Sequence, residues 1–175
     1  MSKRIYIGID PGKGGAIAWF DDTTWGFYKL ELIGTEVDVH SLVNKLRELC
    51  CELRRDAIIG IEDVHAIFGT SANSTFELGW ICGILEGIAI SMGAKLVKIA
   101  PKKWQSEMHE GIPKMTKLSS TKKTLVTDTK SMSIMACKRL FPDISLVSGK
   151  TARAKKEDHN IADALLICEY LRRNY

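Results

Sequence analysis

The chain has 175 residues, 45% hydrophobic and 26% charged, with 25 Lys and Arg against 21 Asp and Glu. That length supports one globular core and is too short for a two-lobed kinase or an actin-like ATPase. No apolar run reaches the roughly 18 residues of a membrane-crossing helix. The opening Met1-Ser-Lys-Arg runs straight into a strand pattern, so the expectation is no signal peptide and a cytoplasmic location. Five cysteines without a C-x-x-C pair are expected as thiols that pack like small hydrophobes, not as a zinc or redox site.

Residues 4–10 (RIYIGID) alternate and are rich in isoleucine, Pro11 to Gly15 turn the chain, and 16–20 resume a strand; 25–30 make a third, antiparallel one. Val39, Leu42, Val43, Leu46, Leu49, Cys50 and Leu53 recur at helical spacing and predict a helix over 39–54. Ala57 to Glu62 reads as a central strand. A polar stretch over 67–75 then leads into an apolar helix over 76–92 that carries Gly79, Gly83 and Gly87. Residues 95–100 predict a fifth strand, and Pro101 opens a short helix containing Trp104. The stretch 109–129 lacks periodicity and reads as a mobile basic loop. Helices are predicted over 131–141 and 160–172, with a basic connector over 143–157. Three hairpin strands followed by alternation predict an α/β fold in a single domain over 1–175: a mixed five-stranded sheet, three antiparallel strands then parallel ones, with helices on both faces.

Charge is uneven along the chain. From Pro101 to Lys156 thirteen Lys and Arg stand against four Asp and Glu, a net of +9, so the remainder carries −5. A lysine-rich stretch is by itself often only a solvated face. An acidic part beside a basic part suggests a metal-collecting site next to a surface for a polyanion, here a nucleic acid.

Asp10 and Glu62 each end an apolar strand, where a carboxylate is costly unless hydrogen-bonded or coordinated. Asp163 lies in the last helix between Ala162 and Ala164, small residues that permit a close approach to the sheet. If the first and fourth strands are neighbours, Asp10 and Glu62 face one spot at the strand ends, where α/β sheets bind ligands. Carboxylates gathered there repel one another, and a hard divalent ion, Mg²⁺ or Mn²⁺, relieves the repulsion. A lone acid after a strand is more often a turn residue; three together beside a basic segment favour a site. Gly12, Gly14 and Gly15 permit a tight turn and close backbone approach to a phosphate. Alone the pattern is a common hairpin turn; no helix follows for a dinucleotide fingerprint, and the Gly-Lys-Ser/Thr of a P-loop is absent.

Four pieces, in order along nearly the whole chain, carry a resemblance. They are Ile7-Gly-Ile-Asp-Pro-Gly-Lys-Gly-Gly15; Ile61-Glu62 through His65-Ala66 to Phe76-x-x-Gly79; Pro101-x-x-Trp-Gln105 through a variable loop to Lys130 and Leu140-Phe-Pro142; and Asp158-His-Asn-Ile-Ala-Asp-Ala-Leu-Leu166. Together they resemble the RuvC family of Holliday-junction resolvases, particularly its phage-type members, which have a ribonuclease-H-like fold. The resemblance implies a homodimeric endonuclease that uses two Mg²⁺ ions per site, Mn²⁺ substituting, to nick two opposed strands of a four-way DNA junction. It puts the first acid on Asp10, the strand glutamate on Glu62 and the last-helix aspartate on Asp163.

Members often carry an Asp or His three residues before that final Asp, and here the place is held by Asn160, a poor ligand. Asp158 is therefore the preferred fourth ligand, with His159 second. His159 shares a helix face with Asp163 and alternatively polarises the attacking water. The family's junction-entering loop falls on Phe68 to Thr75, including Gly69, Ser71 and Ser74. Phe76 follows as a wedge or stacking side chain, or else packs on the neighbouring helix. Helix 76–92 resembles the dimerisation helix. Phosphate contacts are expected from Gly12 and Lys13 and from Lys102, Lys103, Lys117, Lys122, Lys123, Lys130, Lys155 and Lys156. Two other readings stay open: a ribonuclease-H-like nuclease for RNA–DNA hybrids, flaps or other branched DNA, and a branched-DNA binding module without catalysis.

Overall fold

The alternating isoleucines of β1 (Arg4–Asp10) bury both faces of one strand and set the centre of the fold. A computed structural model describes residues 4–52, 56–64, 71–119, 123–147 and 156–175. After β1 come β2 (Ala16–Phe20), β3 (Trp25–Lys29), a small hairpin of β4 (Leu32–Ile33) and β5 (Glu36–Val37), and helix α1 (Val39–Arg47). Then follow β6 (Asp56–Glu62), α2 (Ala72–Ser91), β7 (Lys95–Ile99) and α3 (Pro101–Met108). A second hairpin, β8 (Thr116–Leu118) and β9 (Leu125–Thr127), precedes α4 (Thr129–Leu140) and α5 (His159–Asn174). The main sheet runs β3-β2-β1-β6-β7. β1 is antiparallel to β2 and β2 to β3, whereas β6 runs parallel to both β1 and β7. This is the mixed five-stranded α/β sheet expected from the sequence.

Strand side chains alternate between faces, and here each face meets its own helices. Ile5, Ile7 and Ile9 pack with Leu42 and Leu46 of α1 and with Ile81 and Leu85 of α2. Tyr6 and Ile58 pack with Trp104 of α3, Ala136 of α4 and Leu165 of α5. Full burial of each such aliphatic side chain contributes about 1.5–3 kcal/mol. Gly8 shows how tightly α5 is seated on β1. A Cβ there would lie 2.3 Å from the Cys168 nitrogen and 2.5 Å from the Ala164 oxygen, so the helix backbone rests directly on the strand.

The structure departs from the sequence expectations at element ends. The helix predicted over 39–54 ends at Arg47 and continues as a π-helical turn, Glu48–Glu52. α2 starts four residues earlier than predicted because Ser71 caps it, accepting the Ser74 N–H at 3.1 Å. The stretch read as a loop over 109–129 contains β8 and β9. All six strand residues are exposed, so no buried face imprints an alternation on the sequence. Cys50, Cys137 and Cys168 are buried and Cys82 is half-buried. Burial pushes the Cys137 thiol up to about 12 and that of Cys82 to about 11. Among the described residues no helix is long and apolar enough to cross a membrane.

Candidate active site

β1 and β6 are parallel neighbours in a register that pairs Ile9 with Ile61. The next residues, Asp10 and Glu62, therefore leave the sheet side by side at its C-terminal edge. Between Asp10 and β2 lies the glycine turn. Only Gly12 of its three glycines has a positive φ, 132°, while Gly15 is needed for space, since a Cβ there would sit 2.2 Å from the Asp10 carbonyl oxygen. α5 begins beyond Asp158, which caps it by accepting the Asn160 N–H on Oδ1 at 3.0 Å. Asp163 follows one turn after His159.

The carboxylates feel one another. Burial holds the Asp10 carboxyl well above the usual carboxylate range, and Asp163, Glu62 and Asp158 push it further up while Lys29 opposes them. Burial raises Glu62, against the Trp104 indole N–H, which donates to its Oε1 at 2.9 Å. Burial likewise pushes Asp163 up to about 7, with Glu62 and Asp158 adding to it; hydrogen bonding from the Ser133 hydroxyl and the charge of Lys130 oppose the rise. The buried Asp163 Oδ1 has no hydrogen-bond partner among the described residues. Among the described residues, no three His, Cys, Asp or Glu side chains converge closely enough to hold a metal ion as they stand.

Lys29 is the residue that sequence reasoning missed. Its ammonium donates to the Gly14 carbonyl and lies 2.6 Å from Asp158 Oδ2. Both oxygens of Asp158, the preferred fourth ligand, are thus engaged, one as a cap and one in a salt bridge. The signal for Lys29 lies in the hairpin register: it pairs with Ala16, directly after the glycine turn. His159 is half-buried and its imidazole is held below its usual range, by burial first and then by the charges of Lys130, Lys29 and Lys117 against Asp158. Lys130 of α4 thus acts on both His159 and Asp163, and Lys117 of β8 on His159.

The other predicted contact residues divide. Gly12, Lys13, Ser74 and Phe76 line one groove of about 650 Å³ together with Asn73 and Trp80. Within it Lys13 pairs with Glu77 at 2.8 Å, and Phe76 is 73% exposed, which removes the reading that it packs on a neighbouring helix. Ser71 spends its side-chain oxygen on the α2 cap. Lys117 pairs with Asp128 at 2.8 Å. Lys102, Lys103, Lys123 and Lys156 are exposed. Phe68, Gly69, Lys122 and Lys155 lie outside the described residues. On α2, Gly79, Gly83 and Gly87 face open space, and Trp80 and Ile90 are exposed.

The sequence matches no protein-family model and no curated protein. Solved structures do match. The chain is similar to Thermus thermophilus RuvC over 97% of its length and 96% of that chain, at 16% identity and a TM-score of 0.55. It is similar to T. thermophilus RuvC in complex with Holliday junction substrate over 98% of its length and 96% of that chain, at 14% identity and 0.54. A third match is the yeast mitochondrial Holliday junction resolvase, at 15% identity and 0.58, over 96% of this chain and 77% of that one. At these identities the likeness shows the fold alone, the mixed five-stranded α/β architecture that the chain shares with those structures.

Proposed function

We propose that the chain is a divalent-metal-dependent endonuclease that resolves four-way DNA junctions by paired nicks, working as a homodimer. The observation that carries this reading is that Asp10, Glu62 and Asp163, carried by β1, β6 and α5, lie close enough for Asp163 and Glu62 to push the Asp10 carboxyl up and for Glu62 to push up that of Asp163. Such a cluster resists ionising without a cation, and among the described residues the buried Asp163 Oδ1 has no hydrogen-bond partner. The donor chemistry fits Mg²⁺ or Mn²⁺. Asp10, Glu62 and Asp163 would hold the metal. His159, kept neutral and one turn from Asp163, is the better fourth donor now that Asp158 is engaged twice. Two ions at such a centre supply an activated water and stabilise the leaving oxygen of a phosphodiester.

The surroundings suit a polyanion. Lys29 and Lys130 put positive charge next to the acidic centre, where a strand phosphate would otherwise be repelled. The groove of Gly12, Lys13, Ser74 and Phe76 adds an exposed ring on which a base can stack. α2 buries Ile81, Leu85 and Ala89 against its own sheet and leaves Trp80, Ile90 and three glycines uncovered. We assign that uncovered face to a second copy of the chain. The motif style points to the phage-type branch and a cytoplasmic setting.

Cleavage of a labelled four-way junction, compared with linear duplex, flap and RNA–DNA hybrid, tests the substrate. Nicking confined to the junction is expected. Preferential cutting of hybrid or flap would keep the metal chemistry and overturn the junction assignment.

A further inference from the structure

Two neutral donors approach the carboxylates from the helical side. The Trp104 indole N–H holds Glu62 Oε1 at 2.9 Å, and the Ser133 hydroxyl opposes the rise that burial imposes on the Asp163 carboxyl. These donors are themselves joined. The His109 ring meets Trp104 edge-on, with centroids 5.8 Å apart and planes at 78°, and its Nε2 lies 3.0 Å from Ser133 Oγ. All three are buried, at 0%, 8% and 1% exposure. Trp104 belongs to an apolar core cluster with Met108, Ala136, Cys137 and Leu165. Packing alone gives such a core no use for a histidine and a serine, whose polar atoms are costly there unless bonded. Here the two bond each other, and the chain they form runs from the Glu62 carboxylate through Trp104 and His109 to Ser133, whose hydroxyl acts on Asp163.

We propose that Trp104, His109 and Ser133 act as one positioning unit that presents Glu62 and Asp163 to a divalent ion. The inference rests on the metal-centre reading above. An indole N–H can only donate, so it favours the ionised carboxylate of Glu62 and fixes Oε1, while Oε2 takes no bond among the described residues. The Ser133 hydroxyl favours the ionised form of Asp163, whose Oδ1 takes no bond among the described residues. Partners of this kind, which orient metal ligands from behind, change affinity by about ten- to hundredfold when removed.

The test is calorimetric titration of the full chain with Mn²⁺ at pH 8, without DNA, for the wild type, Trp104→Phe, Ser133→Ala and the double variant, with melting temperatures in EDTA alongside. Phenylalanine keeps a ring against His109 and loses only the donor. Ser133→Ala removes a single hydroxyl and keeps the test open if the tryptophan variant does not fold. Each single variant is expected to raise the Mn²⁺ Kd about tenfold. The double variant should fall well short of a hundredfold, because both act through His109. A Kd within twofold of wild type in the singles, with only the melting temperature lowered, overturns the proposal and leaves a structural role. Losses that multiply in the double variant overturn the single unit. A wild type that binds no Mn²⁺ overturns the metal-centre reading itself.

Discussion

Lys29 Nζ lies 2.6 Å from Asp158 Oδ2 and donates also to the Gly14 carbonyl, so one ammonium joins the end of β3, the glycine turn and the start of α5. The pair is largely shielded, with the two side chains 30% and 14% exposed. It sets a fixed positive charge beside Asp10 and holds the helix that delivers His159 and Asp163.

Replacing Lys29 therefore has two consequences. Lys29→Met is expected to lower junction nicking about tenfold, as loss of an orienting partner does. It should also lower the melting temperature in EDTA by about 2–4 °C, the equivalent of roughly 1 kcal/mol at this size. Lys29→Arg, which keeps the charge, should recover most of both. Single-turnover nicking and thermal melts read the outcome; a methionine variant equal to wild type in both would remove the tether from the mechanism.

The fourth ligand position separates by two readouts. His159→Ala should weaken Mn²⁺ binding about tenfold or more while leaving the EDTA melting temperature nearly unchanged. Asp158→Ala removes a helix cap, worth about 1 kcal/mol, and should lower the melting temperature with little effect on Mn²⁺ affinity. The reverse pattern, read by calorimetry and melts, would return Asp158 to the metal.

pH acts through the raised carboxyls. Asp163 titrates near 7 when folded against 3.8 ordinarily, so between those values the folded chain keeps a proton that the unfolded chain has released. This group's stabilisation of the metal-free protein is fully present below about pH 4 and is lost as pH rises to about 7. Asp10 and Glu62, also raised, act in the same sense. A divalent ion competes with these protons, so Mn²⁺ should raise the melting temperature by several degrees at pH 8 and hardly at all at pH 5.5. Melts at the two pH values, with and without Mn²⁺, check the sign; an equal Mn²⁺ effect at both would contradict it.

Asp10→Asn replaces a carboxyl whose ionisation is opposed by burial and by three neighbouring carboxylates. It should abolish nicking and yet raise the melting temperature in EDTA at pH 8 by about 2–4 °C, near 1 kcal/mol. A variant that is both inactive and less stable would mean that Asp10 serves the fold instead.

How much of this was legible follows from burial. β1 and β6 stand out in the sequence because both faces are apolar, and Asp10 and Glu62 stand out because a carboxylate ending such a strand has no packing reason. Asp163 is legible through its flanking alanines, which sit against the sheet. β8 and β9 are not, because every residue of those strands is exposed and nothing imprints a period. Lys29 depends on the β2–β3 register, and the Trp104–Glu62 bond on how α3 packs over β6. Those are tertiary facts that composition and spacing do not encode. The open face of α2 is hidden similarly, since an apolar helix reads the same whether it is covered or bare.

Metal-dependent strand cleavage is tested most directly by mapping nicks on an end-labelled four-way junction with the wild type in Mg²⁺, the wild type in EDTA, and Asp163→Asn in Mg²⁺. The expected result is paired nicks at symmetric positions with Mg²⁺ alone, while all three samples still retard the junction in a gel. An intact junction in Mg²⁺ and in Mn²⁺, bound as tightly as before, would contradict catalysis and identify a module that binds branched DNA without cutting it.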